Sequence, residues 1–168
     1  DLYSYTGTLL SHAQSVELFK SLDVQMTPEL KAPSVPMPFQ GTYTQEQYAQ
    51  QLIDEYKAAG VLPRYVWPQS FSLQDVLYWI NHEPAFGKQA VFLDDANVVA
   101  DLPTFSDLAG YRAQGIRIWA PPTFALLALD GSNRIVASRA ARDAKEAGPT
   151  SSPGHWNARA FWPTATTA

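Results

Sequence analysis

The 168-residue chain contains no cysteine, which removes disulfides, thiolate metal sites and cysteine nucleophiles together and leaves the redox compartment open. It has no block of Lys or Arg and a formal charge of −4, so a dedicated nucleic-acid surface, which needs clustered cations against phosphate, is not expected. No apolar run approaches the ~20 residues that cross a bilayer as a helix, so no membrane span is expected. Histidine is scarce, at three residues, and there is no G-x-S-x-G elbow, phosphate-binding glycine loop or H-E-x-x-H helix. The commonest motif-bearing hydrolases and nucleotide enzymes therefore receive no support. The chain opens on Asp1 rather than methionine, as a processed, trimmed or partial chain would.

What is present suits one globular domain. Five Trp, eight Tyr and eight Phe supply bulky core material, and helical and strand patterns alternate along the chain. Residues 8 to 21 carry Leu9, Val16, Leu18 and Phe19 at spacings that predict an amphipathic helix, and "DVQMTPEL" reads as a strand. The proline-rich "APSVPMPFQGTY" is a loop, after which Thr44 is expected to cap a helix closed by Gly60. "RYVWPQSF", "QAVFLDD" and "IRIWAPP" read as further strands, with helices capped by Ser72 and Thr104 between them. A short helix at "TFALLAL", a turn at "DGSN" and a helix at "SRAARDAKEAG" follow. This order predicts an α/β fold with parallel strands, because parallel neighbours need a crossover and the crossover helix covers the sheet. Four such units make either an open sheet or part of a (β/α)₈ barrel, which takes about 250 residues.

In both architectures, groups just past the carboxyl ends of strands face the ligand crevice. Those positions hold Glu29 and Lys31, then Gln69 and Ser70, then Asp94 and Asp95, then Trp119. Glu29 and Lys31 share a face if the strand runs through them. That placement suits a metal ligand beside a phosphate-binding cation, and equally a simple strand-end ion pair. Asp94 and Asp95 read as a turn cluster, with acid or metal chemistry as the alternative. His12 and His82 fall in expected helices, where packing accounts for them, and His155 lies in the irregular end of the chain.

The stretches "VQMTPELKAP", "VWPQSFSLQDVLYWI", "AVFLDD" and "IWAPPTFALLALDGSNRIVASRAARDAKEAG" together resemble the later half of a glycerophosphodiester phosphodiesterase, particularly the bacterial periplasmic type. The resemblance implies a partial TIM (β/α)₈ barrel of about four βα units over residues 1–148. It also implies metal-dependent hydrolysis of a small-molecule glycerophosphodiester to an alcohol and glycerol 3-phosphate, with calcium or magnesium as cofactor and a periplasmic or secreted location. By the same resemblance Glu29, of the family's "E-L-K", is a metal ligand, and Lys31 of that motif is catalytic and lies against the substrate phosphate. Gln69 and Phe71, with Ser70, match the strand-end "Q-S-F" that lines the pocket. A hard cation takes carboxylate oxygen, and a phosphodiester anion takes a fixed positive charge, so the residue types suit the chemistry.

The family's "H-R-G", "E-x-D" and second histidine have no counterpart in this chain, so the resemblance implies an incomplete fragment. Residues 149–168 depart from the family as well. They form an irregular tail, "PTSSPGHWNARAFWPTATTA", where the family continues with a strand like "L-D-I-I-T-W-T-L-E-R". One permitted codon set for Pro149 to Phe161, read from its third base, encodes D-I-I-T-W-T-L-E-R-S-G. The tail thus resembles a shifted reading frame, under which His155, Trp156 and Arg159 carry no function; codons incompatible with that string would end the idea. Two other readings stand beside the phosphodiesterase: a non-catalytic half-barrel that self-associates or binds a partner through exposed edges, and a glycosidase pairing Glu29 with Asp94 or Asp95.

Overall fold

A computed structural model describes residues 6–148; the reading of the tail, with His155, Trp156 and Arg159, lies outside them. The first helix, α1 (His12–Ser21), starts four residues later than its apolar pattern suggests, because Ser11 and Gln14 close a reciprocal capping box there. Thr44 and Gln47 do the same for α2 (Gln45–Ala58), which Gly60 ends at φ +68°, a conformation that costs glycine little. Strand β1 (Gln69–Ser70) leads into α3 (Leu73–His82), capped by Ser72, and the short turn α4 (Pro84–Gly87). Strand β2 (Val91–Leu93) is followed by α5 (Phe105–Ala113), capped by Thr104 as expected, and then β3 (Ile118–Ala120). The chain ends its described course with α6 (Thr123–Leu126), the pair β4 (Leu127–Leu129) and β5 (Ile135–Ala137), and α7 (Arg139–Glu146).

The three strands β1, β2 and β3 form a parallel sheet in chain order, with Gln69 opposite Val91 and Phe92 opposite Trp119. The expected strand before them is present as an interrupted edge. Met26 and Glu29 bridge Val66 and Gln69 in parallel, through Met26 N–H to Tyr65 O, Trp67 N–H to Met26 O, Gln69 N–H to Pro28 O and Leu30 N–H to Gln69 O, at 2.8–2.9 Å. Pro28 has no N–H to offer the neighbouring strand, so the ladder lacks a rung at its middle, as proline at a sheet edge requires. The result is a mixed α/β fold; no closed barrel is seen among the described residues.

The main core lies between this sheet and α2 and α3. Ile53, Val66, Val76 and Trp79 are fully buried there, and Trp79 donates its indole N–H to Ala49 O at 2.9 Å. Gly87 sits so close to α3 that an added Cβ would stand 2.4 Å from Trp79 O. Leu108, Trp119 and Ala144 build a smaller cluster under α5 and α7.

Two expectations need correction. Of the apolar residues read as a stripe on the first helix, Val16 alone is buried; Leu9 is 98% exposed, and Leu18 and Phe19 are exposed too. Val16 and Leu18 are two positions apart and face opposite sides of a helix, so one packed face cannot take both. "TFALLAL" is helical only to Leu126 and then becomes β4, which pairs antiparallel with β5. The expected "DGSN" turn makes the hairpin: Asp130 accepts the N–H groups of Ser132 and Arg134, and Asn133 takes φ +57°. Leu127, Leu129, Ile135 and Val136 of this hairpin are exposed.

Candidate functional site

The carboxyl ends of the interrupted edge and β1 lie side by side. Glu29 and Gln69 are direct partners across the parallel ladder, and partners across a ladder project from the same face. Lys31, two residues on, returns to Glu29 with its Nζ 2.7 Å from Oε1, so the two do share a face. The strand-end ion pair is therefore the geometry present. Lys31 is 74% exposed, and such a pair is weak and easily exchanged.

One oxygen at this end is less settled than the pair. Glu29 Oε1, shielded from solvent, has the Lys31 ammonium as its partner. Gln69 turns its amide N–H toward Thr27 O at 3.3 Å, and its Oε1 is likewise shielded and accepts nothing. Gln69 thus carries a shielded oxygen without a donor, where such atoms are normally satisfied. Glu29 and Gln69 both carry oxygen of the kind calcium and magnesium take, although among the described residues no group of three or more His, Cys, Asp or Glu gathers.

Next to Gln69, the Ser70 hydroxyl is buried and donates to Asp75 Oδ2 at 2.9 Å; it also accepts the N–H of Ser72 at 3.0 Å. Asp75 Oδ1 accepts the side-chain amide of Gln45 at 2.9 Å. Asp75 is 3% exposed, and its carboxyl joins β1, the start of α3 and the start of α2 in one network. This holds the strand end that presents Gln69 and Phe71. Sequence reasoning missed Asp75 in this role. Its signal was the Ser72-x-x-Asp75 spacing of a capping box, but the Asp75 side chain turns away from that box to Ser70 and Gln45.

The remaining candidates are placed apart from this chemistry. Phe71 is half exposed at the strand end. Asp94 Oδ1 accepts Ala96 N–H and its Oδ2 accepts the Trp119 indole N–H, each at 2.9 Å, so it closes a turn and ties β2 to β3. Asp95 is exposed. His12 pairs with Glu55 at 2.7 Å and meets the Tyr56 ring edge-on at 5.2 Å, joining α1 to α2, while the exposed His82 stacks on Tyr78 of its own helix at 4.6 Å. A cleft of about 280 Å³ lies between α1 and the edge strand, lined by His12, Val16, Phe19, Met26, Pro28 and Tyr56; neither Glu29 nor Lys31 lines it.

No family model matches the chain, and no solved structure matches it. A curated relative, an "Extracellular protein" of Arthroderma benhamiae (strain ATCC MYA-4681 / CBS 112371), is 47% identical over 154 residues. The match covers 88% of this chain and 62% of the relative, so the chain spans less than two thirds of that protein's length. No described helix is long and apolar enough to cross a membrane.

Proposed function

We propose that this chain is the later part of a secreted, metal-dependent glycerophosphodiester phosphodiesterase built on a (β/α)₈ barrel. The observation that carries the reading is the strand-end group: Glu29 and Gln69 paired across a parallel ladder, with Lys31 beside them. Parallel strands in chain order, separated by helices, support the barrel. The name of the fungal relative supports secretion, in place of a bacterial periplasm.

When bound, a divalent cation supplies charge against the phosphoryl oxygens. Glu29 would hold it through a carboxylate oxygen. Lys31 has an exposed, flexible stem, leaves Glu29 at little cost and offers its ammonium to a phosphodiester oxygen, where negative charge grows during hydrolysis. Gln69 is the ladder partner of Glu29, and Phe71 is half exposed just past the same strand end. The proton donor and acceptor for the reaction come from outside this group, since His12 is held by Glu55 and His82 stacks on Tyr78.

The test is release of glycerol 3-phosphate from glycerophosphocholine with calcium or magnesium, by this chain and by its longer fungal relative. Activity that chelator removes and Glu29→Ala abolishes is expected. If neither protein hydrolyses the substrate with any divalent ion, the reading fails.

A second reading is favoured by one observation, the exposed Leu127, Leu129, Ile135 and Val136 of the β4–β5 hairpin. An apolar patch of that kind suits a chain that self-associates. A defined oligomer with no hydrolysis would favour it. In the glycosidase reading Asp94 has both oxygens engaged in the fold, which leaves the exposed Asp95 as the carboxyl to pair with Glu29.

A further inference from the structure

We infer that the open side of the interrupted edge, together with α1, takes a parallel β-strand from the part of the longer protein outside this chain's match; this rests on the barrel layout proposed above and on none of its chemistry. The helix α2 joins the edge to β1, α3 joins β1 to β2 and α5 joins β2 to β3, each crossing between parallel neighbours. The first helix leads into the edge in the same way and packs beside α2, yet no strand stands on its far side among the described residues. It is a crossover helix without its first strand. The fungal relative supplies a source for that strand: the match covers 62% of it, so more than a third of its length lies outside.

The backbone of the edge is free to pair on that side. Met26, Pro28 and Leu30 make their bonds toward β1 and the residues leading into it. Thr27 and Glu29 alternate with them, so their N–H groups face the open side, and among the described residues neither has a backbone partner. The N–H that Pro28 lacks belongs to the β1 side, so the proline does not blunt the open one. The side chains agree with the backbone. Val24, Met26 and Pro28, alternate residues of the edge, line the cleft of about 280 Å³ beside α1 together with Val16 and Phe19, and an adjoining strand fills that space with apolar side chains of its own. Leu18 and Leu22, four positions apart, are exposed on the side of α1 away from His12 and Lys20, which hold α2; a further helix packs there as α1 packs on α2.

The experiment is amide hydrogen exchange of the full 168-residue chain and of the intact Arthroderma benhamiae relative, read at Thr27 and Glu29 and at the positions aligned with them, with Val91 N–H, held by Pro68 O, as the reference. Exchange at the two edge amides is expected to be at least about 100-fold slower in the relative. Proline at position 27 is the second arm. In this chain Thr27→Pro removes an N–H that bonds nothing, and the melting temperature is expected to stay within about 2 °C; at the aligned position of the relative proline removes a ladder bond and is expected to lower it by about 5 °C or more. Equal exchange at these amides in the two proteins, or a proline that costs both the same, overturns the inference. So does protection that this chain gains by itself at high concentration along with a dimer in sedimentation velocity, which gives the edge to a second copy. Protection in a relative that hydrolyses no glycerophosphodiester supports the interface and counts against the catalytic reading alone; hydrolysis without protection does the reverse.

Discussion

Replacing Asp75 by alanine removes the acceptor that joins three elements behind the strand-end group. The Ser70 hydroxyl is 1% exposed and loses its close acceptor, keeping only the long contact to Leu30 O at 3.5 Å, which costs about 1–3 kcal/mol. Gln45 is only partly buried, so its lost bond is worth about 1 kcal/mol. The sum is a loss of roughly 2–4 kcal/mol, which for a chain of this size lowers the melting temperature by roughly 5–15 °C. Asp75→Asn keeps an oxygen for Ser70, and Gln45 can turn its own amide to accept from the new one, so that variant should lose about 1 kcal/mol or less. Asp95→Ala, at an exposed carboxylate, should stay within about 0.5 kcal/mol of the parent. Thermal and guanidinium unfolding followed by circular dichroism measure all three. Hydrogen exchange at the Ser72 N–H, which donates to Ser70 Oγ, should speed up in Asp75→Ala and not in Asp95→Ala. The reasoning is refuted if Asp75→Ala unfolds with the parent, or if asparagine costs as much as alanine.

The same substitution at two glycines should act in opposite directions. Gly87→Ala forces a Cβ to 2.4 Å from Trp79 O and 2.5 Å from Ile80 Cα, and should cost about 2–3 kcal/mol, whereas Gly110→Ala, inside α5 with open space around it, should gain up to about 1 kcal/mol; denaturant midpoints decide. Glu83 gives a pH signature: burial works to raise its carboxyl, but hydrogen bonds from Lys57 and Gln50 outweigh that and hold it below its ordinary 4.5. Its contribution to stability is therefore complete above pH 4.5 and fades as the pH falls through the depressed value, so Lys57→Met should flatten the acid side of the stability profile measured between about pH 6 and 3. Lys31→Met should leave the melting temperature within about 1 °C and the calcium affinity unreduced, since its ion pair is exposed, while weakening binding of glycerol 3-phosphate; unchanged binding would remove Lys31 from the phosphate role. Leu129→Asp with Ile135→Asp should reduce any self-association seen by sedimentation velocity, both side chains being exposed on the hairpin.

Much of the fold was legible because its signals are local. Thr44, Ser72 and Thr104 each accept a hydrogen bond from a backbone N–H three residues on, and a pattern of that span is complete within one turn of sequence. Period-two alternation put Glu29 and Lys31 on one face, and the two do meet. The "DGSN" turn was readable for the same reason, since Asp130 caps its own loop. Local pattern did not show that Leu18 and Phe19 would stay exposed, because burial depends on which elements arrive, and only one face of α1 is met.

The amino-acid sequence by itself determined the alternation of helices and parallel strands and the residue types waiting at the strand ends. Tertiary structure alone decided which of those ends are neighbours. The register that sets Glu29 against Gln69 joins residues forty positions apart, and it follows from how α2 and α3 pack their apolar faces on the sheet, not from any pattern within either strand. The turn of Asp75 away from its own helix cap toward Ser70 and Gln45 depends on the same packing, which brings a buried hydroxyl and a distant amide within 2.9 Å of one carboxyl.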